Sequence, residues 1–158
     1  MRKTKRTPSG EALSSLVLDL FRLNTLLLTA GDRLVAALGL TSARWQILGT
    51  IVNTERPQPV AWLARDLSAN RQNVQRIVND LHKEGFVSFE TNPHHRRAQL
   101  VVLTDKGKQI FEAAMRMQTP WINNLSEGLL VKDIETIRSV ITALRKKLQD
   151  DVDDGEQA

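Results

Sequence analysis

The stretch NRQNVQRIVNDLHKEGFV, residues 70–87, decides the fold of this chain. At about 100° per helical residue, its apolar side chains fall within roughly 60° of one another and predict one buried face. They are Val74, Ile77, Val78 and Leu81. The opposite face carries only amide and basic groups, at Gln72, Gln75, Arg76, Asn79 and Lys83. The stretch therefore predicts a helix that packs on one side and presents hydrogen-bond donors on the other, with Asn70 as its N-cap and Gly85 at its end.

The segment before this helix predicts two further helices. Thr41 or Ser42 is suited to cap a helix that carries apolar residues up to Ile51. Two prolines between residues 56 and 60 end that helix. A short helix is predicted at residues 60–66, separated from the helix of the opening stretch by a tight turn.

The segment after the helix predicts a β-hairpin. Residues 86–91 and 98–103 have the pattern of strands, and the turn-rich, basic segment 92–97 joins them. Two helices around a tight turn, followed by a hairpin with a basic tip, are typical of a winged helix-turn-helix.

Long apolar helices are predicted on both sides of this lobe. Apolar residues recur at three- and four-residue steps from Glu11 to Gly39, and three consecutive leucines make that helix apolar on more than one side. A partner subunit could cover it, with Leu16 and Leu20 in the contact.

Near the C-terminus, six residues keep the 4, 3, 4, 3, 4 spacing of a packing seam: Leu130, Ile134, Ile137, Ile141, Leu144 and Leu148. Before that seam, Thr104 is placed to cap a helix that Pro120 bends or interrupts.

The predicted fold is mainly α with a small β-wing. A winged helix-turn-helix lobe at residues 41–103 is flanked by long helices at residues 11–40 and 104–150, which a family resemblance, given below, implies are dimerisation helices. A basic disordered arm at residues 1–10 and an acidic tail at residues 151–158 complete the chain.

Composition restricts the class of protein. The 158 residues suffice for one domain, and 41% hydrophobic with 25% charged residues are ordinary for a soluble protein. The absence of cysteine excludes disulfides, thiolate catalysis and cysteine zinc sites.

No apolar run approaches the length of a membrane span and no signal peptide is recognisable, so we expect a cytoplasmic protein without a membrane partner. Residues 1–108 carry 16 basic against nine acidic side chains, which favours a polyanionic partner, with a solvated basic surface as the alternative.

The donor-rich face of the helix matches DNA. Arginine suits guanine and amide side chains suit adenine in the major groove, whereas an acid in the first two turns would repel phosphate. At the hairpin tip, arginines can reach a narrow minor groove or its phosphates. The predicted DNA-binding residues are Asn70, Arg71, Gln72, Asn73, Gln75, Arg76, Asn79, Lys83, Arg96 and Arg97. The alternatives are an ordinary solvated helix face and a winged-helix module that binds protein instead of DNA.

Catalysis and metal binding find little support in the sequence. His94 and His95 are adjacent, but no third or fourth ligand accompanies them at a suitable spacing, so contact with phosphate or solvent is the simpler interpretation. There is no phosphate loop, nucleophile elbow or carboxylate pair, and nothing supports either histidine as a catalytic base. We expect neither an enzyme nor a cofactor.

Two of these segments resemble the MarR family of bacterial transcription regulators: LARDLSANRQNVQRIVNDLHKEGFV and NPHHRRAQLVVLTDKG, within a similarity from Leu16 to Leu148. The resemblance implies an obligate homodimer whose terminal helices form a layer beneath two winged helix-turn-helix lobes. It assigns the recognition helix to Arg71–Lys83 and the wing arginine to Arg97. The family commonly has an acid two residues before that arginine, where this chain has His95.

The resemblance also implies a regulatory ligand. Many relatives bind small aromatic or phenolic acids between the dimer layer and the DNA-binding lobe, and then release DNA. Leu27, Arg44 and Trp45 are the candidate lining residues here, with a plain core position as the alternative for Trp45. The expected function is a homodimeric repressor on a pseudo-palindromic operator, with half-sites about one helical turn apart.

Overall fold

A computed structural model describes residues 5–155 of the chain, and the side chains of residues 5–150. Its helices are α1 (Pro8–Val35), α2 (Ser42–Asn53), α3 (Val60–Asp66), α4 (Arg71–Lys83), α5 (Asp105–Leu125) and α6 (Val131–Gly155). Its strands are β1 (Gln58–Pro59), β2 (Val87–Glu90) and β3 (Leu100–Leu103), and one 3-10 turn, Ala36–Leu38, follows α1. The predicted fold, mainly α with a small wing, is confirmed.

Both ends of the described chain are more helical than predicted. Thr7 caps α1 by accepting a hydrogen bond from the Gly10 backbone N at 3.0 Å, and Pro8 fits the first helical turn. The arm predicted to be disordered is therefore helical from Pro8 onward, and residues 1–4 lie outside the described residues. The predicted acidic tail belongs to α6 as far as Gly155, and its last three residues are also outside the described range.

A short turn connects α3 to α4. The Ala69 backbone N donates to the Ala64 carbonyl at 2.8 Å, closing the end of α3. Ser68 has a φ of 50°, in the left-handed region that lets the chain reverse direction. These two features set α4 against α3 in the helix-turn-helix arrangement.

The predicted helix caps are present. Thr41 accepts from the Arg44 backbone N at 3.3 Å, and Asn70 accepts from the Asn73 backbone N at 3.1 Å, so each satisfies a free amide of its helix. Gly85 has a φ of 77°, which lets the chain leave α4 and enter the wing.

The wing is a three-stranded antiparallel sheet in the order β1-β3-β2. Glu90 pairs with Leu100, so β2 and β3 form the predicted hairpin. The sequence did not predict β1, in which Gln58 pairs with Val101. A strand of two residues is too short to show the alternation of apolar and polar residues that predicts strands. Pro59 is tolerated in β1 because this is an edge strand, where the missing backbone N–H breaks no hydrogen bond to a further strand.

The lobe has one buried core to which α2, α3, α4 and the sheet all contribute. The most enclosed side chains are Ile47, Leu48, Leu63, Val74, Val78, Leu81, Val87 and Val101. The four apolar residues of α4 are at most 6% exposed, which confirms its predicted inner face. Burial of each such side chain contributes about 1.5–3 kcal/mol to folding.

The start of α5 is fixed to the wing. The Thr104 hydroxyl donates to the Gly85 carbonyl at 2.6 Å and accepts from the Gly107 backbone N at 3.0 Å, so Thr104 caps α5 as predicted. Gly107 lies so close to the Phe86 carbonyl that any Cβ there would overlap its oxygen. This contact therefore requires glycine.

A hydrogen-bonded serine joins α1 to α2. The Ser42 backbone N donates to Asp32 Oδ1 at 2.6 Å, and its hydroxyl donates to the Leu28 carbonyl at 2.7 Å. Ser42 is buried, and the facing Gly31 has no space for a side chain against its hydroxyl. The lobe and α1 are thus held together by polar contacts as well as by packing.

Much of the apolar surface of α1 is exposed. Leu18, Leu26 and Phe21 all face solvent, and Phe21 is 69% exposed. The helical segment Pro8–Leu38 is long and apolar enough to cross a membrane by length and composition, with a mean hydropathy of 1.4 in an unburied 18-residue window. Because the sequence has no unbroken apolar run of this length, no such segment was expected. That expectation was wrong, since leucines separated by polar residues give the same mean hydropathy as an unbroken run.

The chain divides after Thr119 into two compact units. Helix α5 continues to Leu125, so Pro120 does not interrupt it. In the second unit, a turn at Gly128, with a φ of 79°, leads into α6. The apolar seam of α6 is also largely exposed, and Ile137 is 54% exposed.

Candidate nucleic-acid interface

The outer face of α4 is polar and open to solvent. Of the predicted DNA-binding residues on it, most are exposed and Gln75 is half-buried. Asn70 is used as the cap of the helix, so its side-chain oxygen is already engaged in the free protein.

Hydrogen bonds between neighbouring side chains organise this face. Arg76 donates to Asn73 Oδ1 at 2.9 Å and lies 3.8 Å from a carboxylate oxygen of Asp80. Gln75 Nε2 donates to Asn79 Oδ1 at 3.0 Å. Asp80, in the third turn, is the acid that the first two turns lack. These bonds orient Arg76 and Gln75 in the free protein, and each side chain has further hydrogen-bonding groups with which to meet a partner.

Asn92 closes the wing loop, residues 91–99. Its Nδ2 donates to the Ala98 carbonyl at 3.0 Å, and its Oδ1 accepts from the His94 backbone N at 3.0 Å. The side chain is 8% exposed, so both ends of its amide are satisfied inside the loop. Arg96 and Arg97 are exposed on the same loop. Asn92 was not among the predicted site residues, although an asparagine in a turn commonly bonds to nearby backbone.

The recognition helix and the wing share one concave surface. A cavity of about 1290 Å³ is lined from α4 by Arg71, Gln75 and Asn79, and from the wing loop by Arg97 together with the two adjacent histidines. The structure thus brings together four of the predicted DNA-binding residues. The other exposed ones, Gln72, Asn73, Arg76, Lys83 and Arg96, do not line this cavity.

Another part of the cavity lining was not predicted. It comes from the segment before β1, from β1 and from α3, and it includes Pro57, Gln58 and Trp62. The charged residues that line the cavity are three arginines, at positions 56, 71 and 97, and one acid, Glu55. The surface therefore has the positive charge that suits a polyanion.

The C-terminal end of α4 is anchored to neighbouring elements. Arg44 Nη1 donates to Glu84 Oε1 at 2.8 Å and to the Gly39 carbonyl at 3.1 Å. Lys106 Nζ donates to the Glu84 carbonyl at 2.7 Å. These bonds connect α4 to the start of α2 and to the start of α5.

The predicted ligand-binding residues have different surroundings. Arg44 is engaged with Glu84, Trp45 is half-buried against the core, and Leu27 is exposed on α1. Nothing in the described residues tests ligand binding at these positions, so it stays a prediction. Among those residues, no group of three or more histidine, aspartate or glutamate side chains could hold a metal ion.

The predicted dimer residues all retain exposed surface. Leu16, Leu20, Ile141 and Leu144 are half-buried within the chain, whereas Ile134, Ile137 and Leu148 are exposed.

Comparisons with known proteins identify the family. A family model described as the MarR family matches residues 38–98. The chain is 34% identical over 140 residues to an uncharacterised protein of Mycobacterium tuberculosis, covering 86% of this chain and 96% of that protein. It is 31% identical over 107 residues to the transcriptional activatory protein BadR of Rhodopseudomonas palustris, covering 65% of this chain and 59% of BadR.

The fold is shared with the transcriptional repressor CouR. CouR bound to a 23-mer DNA duplex matches with a TM-score of 0.73 at 22% identity, covering 89% of this chain and 99% of that one. CouR from Rhodococcus jostii RHA1 bound to p-coumaroyl-CoA matches with a TM-score of 0.73 at 17% identity, covering 82% and 90%. With the family model and the sequence relatives, this shared fold shows that the chain belongs to the MarR family of transcription regulators.

Proposed function

We propose that this chain is a homodimeric, sequence-specific DNA-binding repressor that acts in the cytoplasm. The observation that carries the proposal is the cavity on which Arg71, Gln75 and Asn79 of α4 face Arg97 of the wing. Guanidinium and amide groups match base edges in the major groove, and a wing arginine matches phosphates or the minor groove. In this mode, phosphate contacts supply most of the affinity and base contacts most of the selectivity.

The exposed apolar surfaces support a homodimer. Phe21 and its neighbours on α1, and Ile137 and its neighbours on α6, are too numerous to be ordinary single exposed residues. Burial in an interface would contribute about 1.5–3 kcal/mol for each large side chain that becomes fully covered. Two copies of α4 would then meet a pseudo-palindromic operator with half-sites about one helical turn apart.

Relief of repression by a small aromatic or phenolic ligand completes the proposal. CouR, described as a repressor, has been solved with p-coumaroyl-CoA as well as with DNA, which makes such a ligand the natural candidate. In this chain, an anionic group of such a ligand beside Leu27 and Trp45 would compete with Glu84 for Arg44. Loss of that ion pair would release one anchor of the recognition helix.

Selection of duplexes from a random pool tests DNA binding. We expect the purified protein to enrich a pseudo-palindrome, and a variant with Arg71→Ala, Gln75→Ala and Arg97→Ala to enrich none. Matched folding of the two proteins by circular dichroism is the control. Failure of the unmodified protein to enrich any sequence would contradict the proposal and favour a winged-helix module that binds protein.

A reporter gene placed behind the enriched operator tests the direction of regulation. We expect reporter expression to fall when the protein is produced, and to recover when aromatic acids are added. A rise in expression on producing the protein would make it an activator, as BadR is described to be.

A further inference from the structure

Trp62, in α3, is an exposed aromatic ring at the cavity wall. Among described residues 36–119, the exposed large hydrophobic side chains are Val52 and Trp62, and Trp62 is 53% exposed. The Arg65 guanidinium carbon lies 5.4 Å from the centre of the Trp62 ring, within the range of a cation–π contact. The ring is therefore held in place while much of its surface stays uncovered.

The wall around Trp62 is mainly apolar and contains one unpaired polar atom. Pro57, Pro59 and Phe89 line the same cavity. Gln58 Oε1 is buried there without a hydrogen-bond partner among the described residues. That oxygen is an acceptor and a deoxyribose–phosphate backbone carries no N–H or O–H donor, so Gln58 takes no part in the contact that the ring and the arginines support.

The backbone of a DNA strand offers matching chemistry. Its deoxyriboses are apolar and its phosphates are anionic, while tryptophan offers a large apolar ring and one N–H donor. Arg71 and Arg97 lie on the same cavity, and their positive charge favours nucleic acid over an apolar protein partner.

We propose that Trp62 packs against the sugar–phosphate backbone of an operator strand that crosses the cavity between α4 and the wing. This inference rests on the proposed DNA-binding function and adds α3 to the interface. Because every nucleotide has the same backbone, Trp62 would raise affinity for all sequences without selecting bases.

Fluorescence tests the position of the ring directly. A variant with Trp45→Phe and Trp121→Phe keeps Trp62 as its single tryptophan. On titration with the selected operator duplex, we expect an emission shift to shorter wavelength and at least about a twofold fall in quenching by neutral acrylamide, because the ring leaves water. Unchanged quenching at saturating DNA would overturn the inference.

Binding measurements test its contribution. We expect Trp62→Ala to weaken operator and random duplex alike by about five- to twentyfold, with an unchanged salt slope because no charge is removed. Trp62→Phe should retain most of the affinity, and Val52→Ala, a change at an exposed residue, should bind as tightly as the unmodified protein.

The two possible failures are distinguishable. If the unmodified protein binds no duplex, DNA binding itself is refuted, whereas equal binding by the Trp62→Ala variant and the unmodified protein refutes only the role of Trp62. A loss confined to the operator would also overturn the backbone contact.

Discussion

Replacing Asn92 with alanine should loosen the wing loop and leave the rest of the lobe folded. The change removes two hydrogen bonds, to the Ala98 carbonyl and from the His94 backbone N, each 3.0 Å long. At about 1 kcal/mol each, their loss destabilises the closed loop by about 2 kcal/mol. The thermal midpoint should fall by about 4–8 °C for a chain of this size.

The effect of Asn92→Ala on DNA affinity should act through Arg97. The Asn92 side chain is buried inside the loop, so its removal can weaken DNA binding only by displacing groups that the loop carries. Loss of one exposed arginine that contacts phosphate costs about 1 kcal/mol, or about fivefold in Kd. We therefore expect Asn92→Ala to weaken binding by no more than Arg97→Ala does, and to reduce the salt slope in the same direction.

A double-mutant cycle measured by fluorescence anisotropy on the selected operator tests this coupling. In the Arg97→Ala background, the further change Asn92→Ala should cost almost nothing. Thr91→Ala, an exposed neighbour on the same loop, is the matched control and should leave Kd and the thermal midpoint unchanged. Fully additive losses in the cycle would refute the reasoning, because they would mean that Asn92 acts independently of Arg97.

Three other substitutions test separate parts of the structure. Arg76→Ala should cost about 1–3 kcal/mol on the preferred operator and relax base choice at one position, measured by competition with single-base operator variants; an equal loss on random duplex would make Arg76 a phosphate contact. Gly107→Ala should lower the free energy of unfolding, measured by urea titration, by about 2–4 kcal/mol because the added Cβ overlaps the Phe86 carbonyl oxygen. Lys108→Ala, at an exposed neighbouring position, should leave this free energy unchanged. A Gly107→Ala protein as stable as the unmodified protein would contradict the contact. Ile137→Lys should shift sedimentation toward monomer at micromolar concentration, since it places a charge in the exposed seam of α6, and an unchanged dimer would exclude this residue from the interface.

The sequence predicted those features that depend on local spacing. The inner face of α4 followed from the helical period, and the caps at Thr41 and Asn70 followed from the bonds that short polar side chains make to free amides. The α3 bounds and the β2–β3 hairpin were also predicted. The start of α1 was misplaced because Thr7 and Pro8 provide a cap and a first turn that were overlooked.

Features that depend on contacts distant in sequence were not predictable. Strand β1 exists only because β3 lies beside it, and two residues give no pattern of their own. The exposure of Trp62 had no signal either, since a tryptophan next to the buried Leu63 in a short helix looks like another core residue. The bonds of Arg76 to Asn73 and Asp80 are local, by contrast, and their three-residue and four-residue spacings were a signal that the sequence interpretation overlooked.

The hydrogen bonds of Ser42 attach the lobe to α1, so a change in the angle of that helix acts on the lobe. A helix of 28 residues is about 42 Å long, so a tilt of about 10° moves one end relative to the other by about 7 Å. That displacement corresponds to about two base-pair steps of 3.4 Å. In the proposed homodimer, an effector that changed the angle of α1 by this amount would put the two copies of α4 out of register with the proposed half-sites, while each lobe kept its internal structure.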